Sequence, residues 1–361
     1  MISRAHKTRI YPNKRQQELM TKTIGVARYA YNWTLDRCEE RYKNNQPFDI
    51  YAVSRQWTAE RPEWSKEVCA APIQKSLLNA GGAYKNMFKK LAKHPKYHKK
   101  GYNDSFYINN QAGKLYGNKV KIHKIGELTL AEPLRYDDCK IMSYVISKKA
   151  DKWYISIQIE LEDKPKTTST SVVGIDVGIK HWATASDGTI CDSPQSLKHY
   201  QRQLKRKQRI FSRRQKGSAR KEKARIAVAK VYQKITNIKL DTIHKFTTTI
   251  AKNHGLVVME DLNLDDLKKS KYKYVRKGLQ DSAISELLFQ LSYKCNNYLK
   301  VEKYFPSSKT CSNCGYVNND LTLADRSFHC PSCDITIDRD FNAALNLQRK
   351  GLEFISGGSH R

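Results

Sequence analysis

Cys311-Ser312-Asn313-Cys314 and Cys330-Pro331-Ser332-Cys333, with fifteen residues between them, commit this part of the chain to a pair of metal-bound turns. Two sulfurs of one tight turn reach one ion, and a second such turn completes a tetrahedral four-thiolate zinc site. Two disulfides or a redox motif are the alternatives, and the spacing favours zinc. The polar segment between the pairs needs the metal to order itself. Four protein ligands leave no position for substrate, so this zinc is structural. Chemistry is therefore sought beside it. Asp340, in Asp338-Arg339-Asp340-Phe341-Asn342-Ala343-Ala344, is the first candidate.

Charge indicates the partner. The 361 residues allow two or three domains, and 66 Lys and Arg stand against 35 acids, a net charge of +31. Such an imbalance costs self-repulsion and points to a polyanion, most often nucleic acid. An anionic membrane surface is the other reading. The chain has no apolar run near 18 residues, no signal peptide and no lipidation motif, which argues against it. Cys38, Cys69, Cys139, Cys191 and Cys295 are far apart and read as reduced thiols of a cytosolic protein.

Along the chain, residues 4–11 alternate as a strand, ended by Pro12-Asn13. Helical spacing follows from about Arg15, prolines punctuate 44–72, and a second helix is expected over 73–91. Residues 93–103 form a basic loop, with Lys96, Lys99 and Lys100 interleaved with Tyr97 and His98. That pattern suits a phosphate backbone with stacked bases, and equally a solvated loop. Short alternating strands occupy 105–162 and suggest a small barrel, joined by the 4–11 strand, with the helices inserted between. Residues 163–171 read as a polar linker.

A buried strand, Val172-Val173-Gly174-Ile175-Asp176, opens the second half and is expected to continue through 181–186 to an Asp187-Gly188 turn. Residues 198–239 hold sixteen Lys or Arg and one acid, Glu222, among them Arg206, Lys207, Arg213 and Arg214. Lying between two apolar strands, this block reads as a helical hairpin over a polyanion rather than a solvated tail. Leu256-Val257-Val258-Met259 is a central parallel strand ending in Glu260. A basic loop over 268–277, a helix over 281–299 with Ile284, Leu287, Leu288, Leu291, Cys295 and Tyr298 on its apolar stripe, a strand over 301–305 and a helix over 340–347 with Phe341, Ala344, Leu345 and Gln348 on one side complete the expectation. Residues 351–361 read as a tail.

Asp176 and Glu260 are lone carboxylates in apolar strands, expensive to bury without compensation. With Asp340 they form a candidate set for one or two Mg²⁺ or Mn²⁺ ions in phosphodiester hydrolysis. Each has an ordinary reading too: a turn cap for Asp176, an ion pair for Glu260, a helix N-terminus for Asp340. Asp338 competes for the third place. Asp261 is a poorer rival to Glu260, because strand alternation turns it away.

Ile175-Asp176-Val177-Gly178-Ile179-Lys180, Met259-Glu260-Asp261-Leu262, the paired Cys-x-x-Cys and Arg339-Asp340-Phe341-Asn342-Ala343-Ala344 resemble the split RuvC motifs and inserted zinc ribbon of TnpB proteins. These are encoded by insertion sequences and related to compact type V CRISPR effectors. Residues 1–12 and Gly81-Gly82-Ala83-Tyr84 to Phe106 also resemble that family. The resemblance implies an α/β multidomain protein. A wedge-like β-barrel covers 1–12 and 104–165, carrying a helical recognition module over 13–103. An RNase H-like RuvC domain covers 171–306 and 336–350, a zinc ribbon 307–335, and a flexible tail 351–361. It implies Asp176, Glu260 and Asp340, not Asp338, as metal-binding catalytic acids. It implies a guide RNA, a target DNA beside a short adjacent motif, one protein chain per RNA, and a prokaryotic cytoplasm. A zinc-containing nucleic-acid-binding regulator of transposition without catalysis is the alternative, and a guide-free nuclease on branched DNA is a third reading. The three acids favour an enzyme.

Overall fold

The computed structural model describes residues 1–101, 103–162, 167–262, 282–302, 305–322 and 325–357. The chain divides into two compact units, Met1–Asp163 and Lys164–Arg361.

The first unit runs β1 (Ile2–Ile10), α1 (Lys14–Lys43), α2 (Ile50–Glu60), α3 (Ala70–Phe88), β2 (Ser105–Asn109), β3 (Gly113–Tyr116), β4 (Lys119–Ile122), β5 (Gly126–Thr129), β6 (Lys140–Lys149) and β7 (Lys152–Leu161). Asn13 and Gln16 satisfy each other's backbone N–H at the start of α1, at 3.0 and 2.9 Å. The prolines of 44–72 flank α2 instead of excluding a helix. Asp49 caps it, accepting from Tyr51 N–H at 2.8 Å, and Pro62 follows its end. Neither α2 nor β3 was expected from the sequence. The strands form two antiparallel sheets, β1-β7-β6-β2 and β3-β4-β5. Tyr11 N–H donates to Thr129 O at 3.1 Å, and Ile10, Phe106, Leu128, Ile146 and Ile157 fill one core.

The second unit runs β8 (Val172–Asp176), β9 (His181–Ala185), β10 (Ile190–Asp192), α4 (Ser196–Ser212), α5 (Ala219–Asn253), β11 (Leu256–Glu260), α6 (Ile284–Lys294), β12 (Asn297–Val301), β13 (Ser327–His329), β14 (Thr336–Asp338) and α7 (Arg339–Gly357). Its main sheet has the order β10-β9-β8-β11-β12, with β11 parallel to both neighbours. Val173, Ile175, Val257 and Met259 pack on Ile243 and Phe246 of α5 and on Leu287 and Leu291 of α6. Val172 and Val258 face Leu347 of α7. Cover on both faces explains why β8 and β11 are apolar without alternation.

Two glycines let α7 lie against the sheet. A Cβ on Gly174 would sit 2.0 Å from Ala344 O and 2.4 Å from Gln348 N. One on Gly351 would sit 2.4 Å from Val258 Cγ2. Gln348 Nε2 donates to Val172 O at 2.8 Å. The atoms facing Gly174 are backbone and cannot step aside. Gly174→Ala is therefore expected to destabilise the second unit by about 3 kcal/mol, read as a lower urea midpoint. An unchanged midpoint would mean that α7 is not seated this closely.

Several boundaries differ from expectation. Residues 177–180 turn the chain, and β9 returns antiparallel to β8 rather than extending it. The helix expected over 281–299 is α6, and 297–301 is a strand. Cys295 and Tyr298 contribute to the core from beyond the helix, which made the helical stripe look longer than it is. Of the strand expected over 301–305, Val301 is the last residue of β12, whose pairing with β11 begins at Asn297, and residues 303 and 304 lie outside the described residues. The segment expected as a tail from 351 continues α7 to Gly357, because Gly351 marks close packing and not a stop. α7 is also buried on more than one side: Asn342, Ala343, Asn346 and Leu347 are all buried, while Phe341 and Leu345 are only partly so. The basic loop over 268–277 lies outside the described residues.

Candidate metal centres and nucleic-acid surface

The two cysteine turns are built alike. Cys311 N–H donates to Tyr316 O at 2.8 Å and Gly315 N–H to Cys311 O at 3.0 Å. Cys330 N–H donates to Ile335 O at 3.0 Å and Asp334 N–H to Cys330 O at 2.9 Å. The residue after each second cysteine has positive φ, +81° at Gly315 and +59° at Asp334, a region open to Gly and tolerated by Asp. The four sulfurs lie within 4.8 Å of one another. Cys311 Sγ is 3.6 Å from Cys333 Sγ, and Cys314 Sγ is 3.5 Å from Cys330 Sγ. A tetrahedron with Zn–S bonds of about 2.3 Å has edges of about 3.8 Å, so the set fits zinc. A disulfide needs about 2.05 Å, and all nine cysteines are free. Asn313 Nδ2, 3.5 Å from Cys333 Sγ, leads the interactions that draw the Cys333 thiol down, while burial pushes the neighbouring Cys330 thiol up; the set fits a metal by its geometry.

The carboxylates gather at the carboxyl edge of the sheet. Ile175 and Met259 are in register on adjacent parallel strands, so Asp176 and Glu260, one residue further on, end β8 and β11 side by side. By alternation both sit on the face that α7 covers. α7 runs opposite to β8: Gln348 meets Val172, Ala344 meets Gly174, and Asp340, one turn earlier, comes level with Asp176. A Cβ on Gly178 would lie 3.9 Å from Asp340 Oδ2. Burial first, then the charges of Asp340 and Glu260, push the Asp176 carboxyl up to about 7, and Arg339 opposes the rise. Burial raises Glu260 as well. Arg339 and Asp340 are 3.7 Å apart, with side chains only 15% and 16% exposed. The acids are more loosely spaced than the thiols, which form the one closed His, Cys, Asp or Glu cluster among the described residues.

The two rivals have other roles. Asp338 Oδ1 accepts from Asp340 N–H at 2.9 Å and Phe341 N–H at 3.1 Å, the pattern of a helix N-cap. Asp261 pairs with Lys300 at 2.7 Å in solvent.

The raised Asp176 carboxyl has a sign. The folded chain keeps a proton that the unfolded chain releases near its ordinary value of 3.8. Stability without added divalent ions should therefore fall as pH rises from about 4 to about 7, by at most roughly 1.4 kcal/mol per unit. Asp176→Asn should flatten that window and be the more stable protein at pH 8 in urea titrations. A wild type that is equally stable at both ends of the window would contradict this.

The basic block is an antiparallel hairpin of α4 and α5, closed by Leu204, Val231 and Ile235. Arg206, Arg213 and Arg214 are exposed and Lys207 is half-buried. Among the described residues none of the four pairs with a carboxylate. In the 93–103 loop the rings of His94, Tyr97 and His98 are used internally, and Tyr102 lies outside the described residues. His98 stacks on Tyr31 at 3.7 Å and 3°, Asn32 bonds both N–H and C=O of His98, Tyr97 donates to Asp36, and His94 Nε2 lies 3.1 Å from Glu39 Oε2. Lys96, Lys99 and Lys100 stay exposed on this ordered loop.

Sequence reasoning passed over Asn342 and Asn346. Both are buried, and both bond the main chain that leads into the first cysteine turn. Asn342 Nδ2 donates to Thr310 O at 2.7 Å and its Oδ1 accepts from Ser312 N–H at 2.9 Å. Asn346 Nδ2 donates to Ser307 O at 2.8 Å and Thr310 O at 2.6 Å. Arg349 donates to Ser312 O. The signal available was two asparagines four apart, beside Ala343 and Leu347 on the side that is buried.

Three family models match the chain. The OrfB model described as "Probable transposase" covers residues 156–271, the OrfB model described as "Helix-turn-helix domain" covers 1–47, and the one described as "Cas12f1-like, TNB domain" covers 285–347. Residues 1–47 nevertheless fold as one strand and one uninterrupted helix. A protein of Escherichia coli (strain K12) named "Putative RNA-guided DNA endonuclease InsQ" is 30% identical over 98% of this chain and 94% of its own length. A Streptomyces pristinaespiralis protein carrying the same name without the suffix is 32% identical over 97% and 90%. A solved Cas12f1 chain, from a complex with sgRNA and target DNA, shares the fold with a TM-score of 0.57 at 14% identity, over 96% of this chain and 98% of that one.

Proposed function

This chain belongs to the TnpB (OrfB) family of insertion-sequence proteins, and from that footing we propose that it is an RNA-guided DNA endonuclease cutting at the Asp176, Glu260 and Asp340 edge. The observation that supports the chemistry is that Asp176 ends β8 beside Glu260 on β11, and that burial and the charges of Asp340 and Glu260 push its carboxyl up to about 7. An all-oxygen, multiply anionic donor set suits a hard cation, so Asp176, Glu260 and Asp340 would hold Mg²⁺ or Mn²⁺. Such ions, when bound, supply water activation and stabilisation of the leaving oxygen. The chain's own contribution is placement. Strand register fixes Asp176 beside Glu260, the Asp338 cap orients the first turn carrying Asp340, and Arg339 offsets part of the negative charge. The four thiols would hold a structural zinc.

Guide RNA and target DNA are the proposed partners. In such systems base pairing reads sequence and the protein reads shape and a short flanking motif. The α4–α5 hairpin and Lys96, Lys99 and Lys100 are the proposed backbone contacts. Replacing Arg206, Lys207, Arg213 and Arg214 with Gln should flatten the log–log salt dependence of duplex binding by about three units. An unchanged slope would leave those residues as solvated surface. No described helix is long and apolar enough to cross a membrane.

The deciding experiment sequences RNA that copurifies with the protein, then programs that RNA against a plasmid target in Mg²⁺. One discrete RNA species and guide-matched cleavage are expected. Random RNA fragments with no cleavage would favour a non-catalytic regulator of transposition instead.

A further inference from the structure

α7 is held on two sides. The sheet holds it through Gly174, Gly351 and Gln348, and the segment entering the zinc turns holds it through Asn342, Asn346 and Arg349. The second set is polar and deeply buried: Asn342 is 0% and Asn346 2% exposed. A buried carboxamide is costly unless its hydrogen-bonding groups are used. Asn342 uses both ends, and Asn346 spends its amide on two carbonyls. All of their partners are main-chain atoms of Ser307, Thr310 and Ser312. The helix therefore reads the path of the backbone into Cys311, not its side chains. Thr310 O accepts from both residues, so the two bonds cannot be altered independently. Asn342 is two residues from Asp340, and Asn346 lies one turn beyond.

We propose that Asn342 and Asn346 are positioning residues: paired carboxamides that fix the height of Asp340 over β8 by tying α7 to the first zinc turn. This rests on the reading of Asp340 as a metal ligand. On the sheet side α7 is seated by close packing at Gly174 and Gly351 and by one side-chain bond, and these contacts set how near it lies to β8. The carboxamides add directional bonds that resist sliding along the helix axis. Loss of either should loosen both ends of the connection, slowing nothing in guide binding but weakening divalent-ion capture and zinc retention together.

The test uses the full chain with its copurified RNA. Asn346→Leu removes the donors and keeps the branching at a larger volume, and Asn346→Ala, which leaves room for a water to reach the two carbonyls, serves if the first folds poorly. Glu353→Gln, which breaks an exposed ion pair with Lys350 on the same helix, is the control. Three quantities are measured: zinc per chain and its release rate to a chromogenic chelator, Mn²⁺ affinity by calorimetry, and cleavage rate at saturating Mg²⁺. The expected result is one zinc retained but released about tenfold faster, Mn²⁺ bound about tenfold more weakly, and a slower maximal cleavage rate, with the control like wild type. A variant that melts earlier but binds Mn²⁺ as wild type does would overturn the proposal, leaving only a structural role. Wild-type protein that binds no Mn²⁺ would overturn the metal-site reading itself, and this inference with it.

Discussion

Changing Asp176 or Glu260 to Ala is expected to lower guide-directed cleavage by roughly three orders of magnitude or more, a barrier increase of about 4 kcal/mol. Asp340→Ala should do the same. The three side chains converge from separate elements, so no neighbour stands ready to replace a lost ligand. Asp261 is engaged by Lys300 and Asp338 by the N–H groups of α7. Guide and target binding should survive, since the carboxylates oppose rather than assist contact with a polyanion. Stability without divalent ions should rise slightly, because one of the mutually repelling charges around Asp176 is gone. Asp338→Ala is the informative companion. It removes a helix cap, costing about 1 kcal/mol of stability, and should keep cleavage within about tenfold. Retained cleavage in Asp176→Ala would sink the metal site. A dead Asp338→Ala beside an active Asp340→Ala would show that the cap and the ligand have been exchanged.

Cys330→Ser is expected to have the second largest effect. Cys311 and Cys330 are fully buried, and the core around them is small: Phe328 with Leu321, Ile335 and Ile337 beside it. That core cannot order 307–335 without the ion, whose binding in small four-ligand sites is worth about 10–16 kcal/mol at neutral pH. With the zinc lost, Thr310 and Ser312 drift from their partners on α7, and Asp340 loses its outer support. Cleavage should fall roughly a hundredfold, at the upper end of what outer supports contribute, while RNA binding persists. Elemental analysis should read zero zinc against one per chain in wild type, and limited proteolysis should cut within 307–335. A zinc-free protein with wild-type cleavage would disconnect the two centres.

The parts legible in the sequence were those whose chemistry is local. A Cys-x-x-Cys turn positions its sulfurs whatever surrounds it, and a carboxylate ending an apolar strand advertises its own cost. That Asp261 turns away from the α7 face, towards Lys300, followed from alternation. The convergence of Asp340 was not legible, because it depends on how α7 lies across β8, which two glycines decide. Gly351 illustrates the ambiguity: the same residue serves as a helix stop or as a contact point, and only the neighbouring valines distinguish them. Cys295 and Tyr298 extended a helical stripe that in fact passes into a strand. The loop at 93–103 shows what a charge and ring pattern leaves open. Its rings look available for bases, yet His98 and Tyr97 are committed to Tyr31 and Asp36 on α1.

The antiparallel stacking of α7 on β8 has a consequence for how relatives of this chain can vary in length. One helical turn and two strand residues advance by nearly the same distance, about 6 Å, so positions 340, 344 and 348 keep step with 176, 174 and 172. A single residue inserted or deleted between 340 and 351 would swing the acid by about 100° around the helix and out of the site. Changes of length before Asp338 have no such effect, because the cap restarts the helical frame at each chain's own Arg339. Relatives should therefore differ in the arms of the ribbon by any number of residues, and in this helix segment by none.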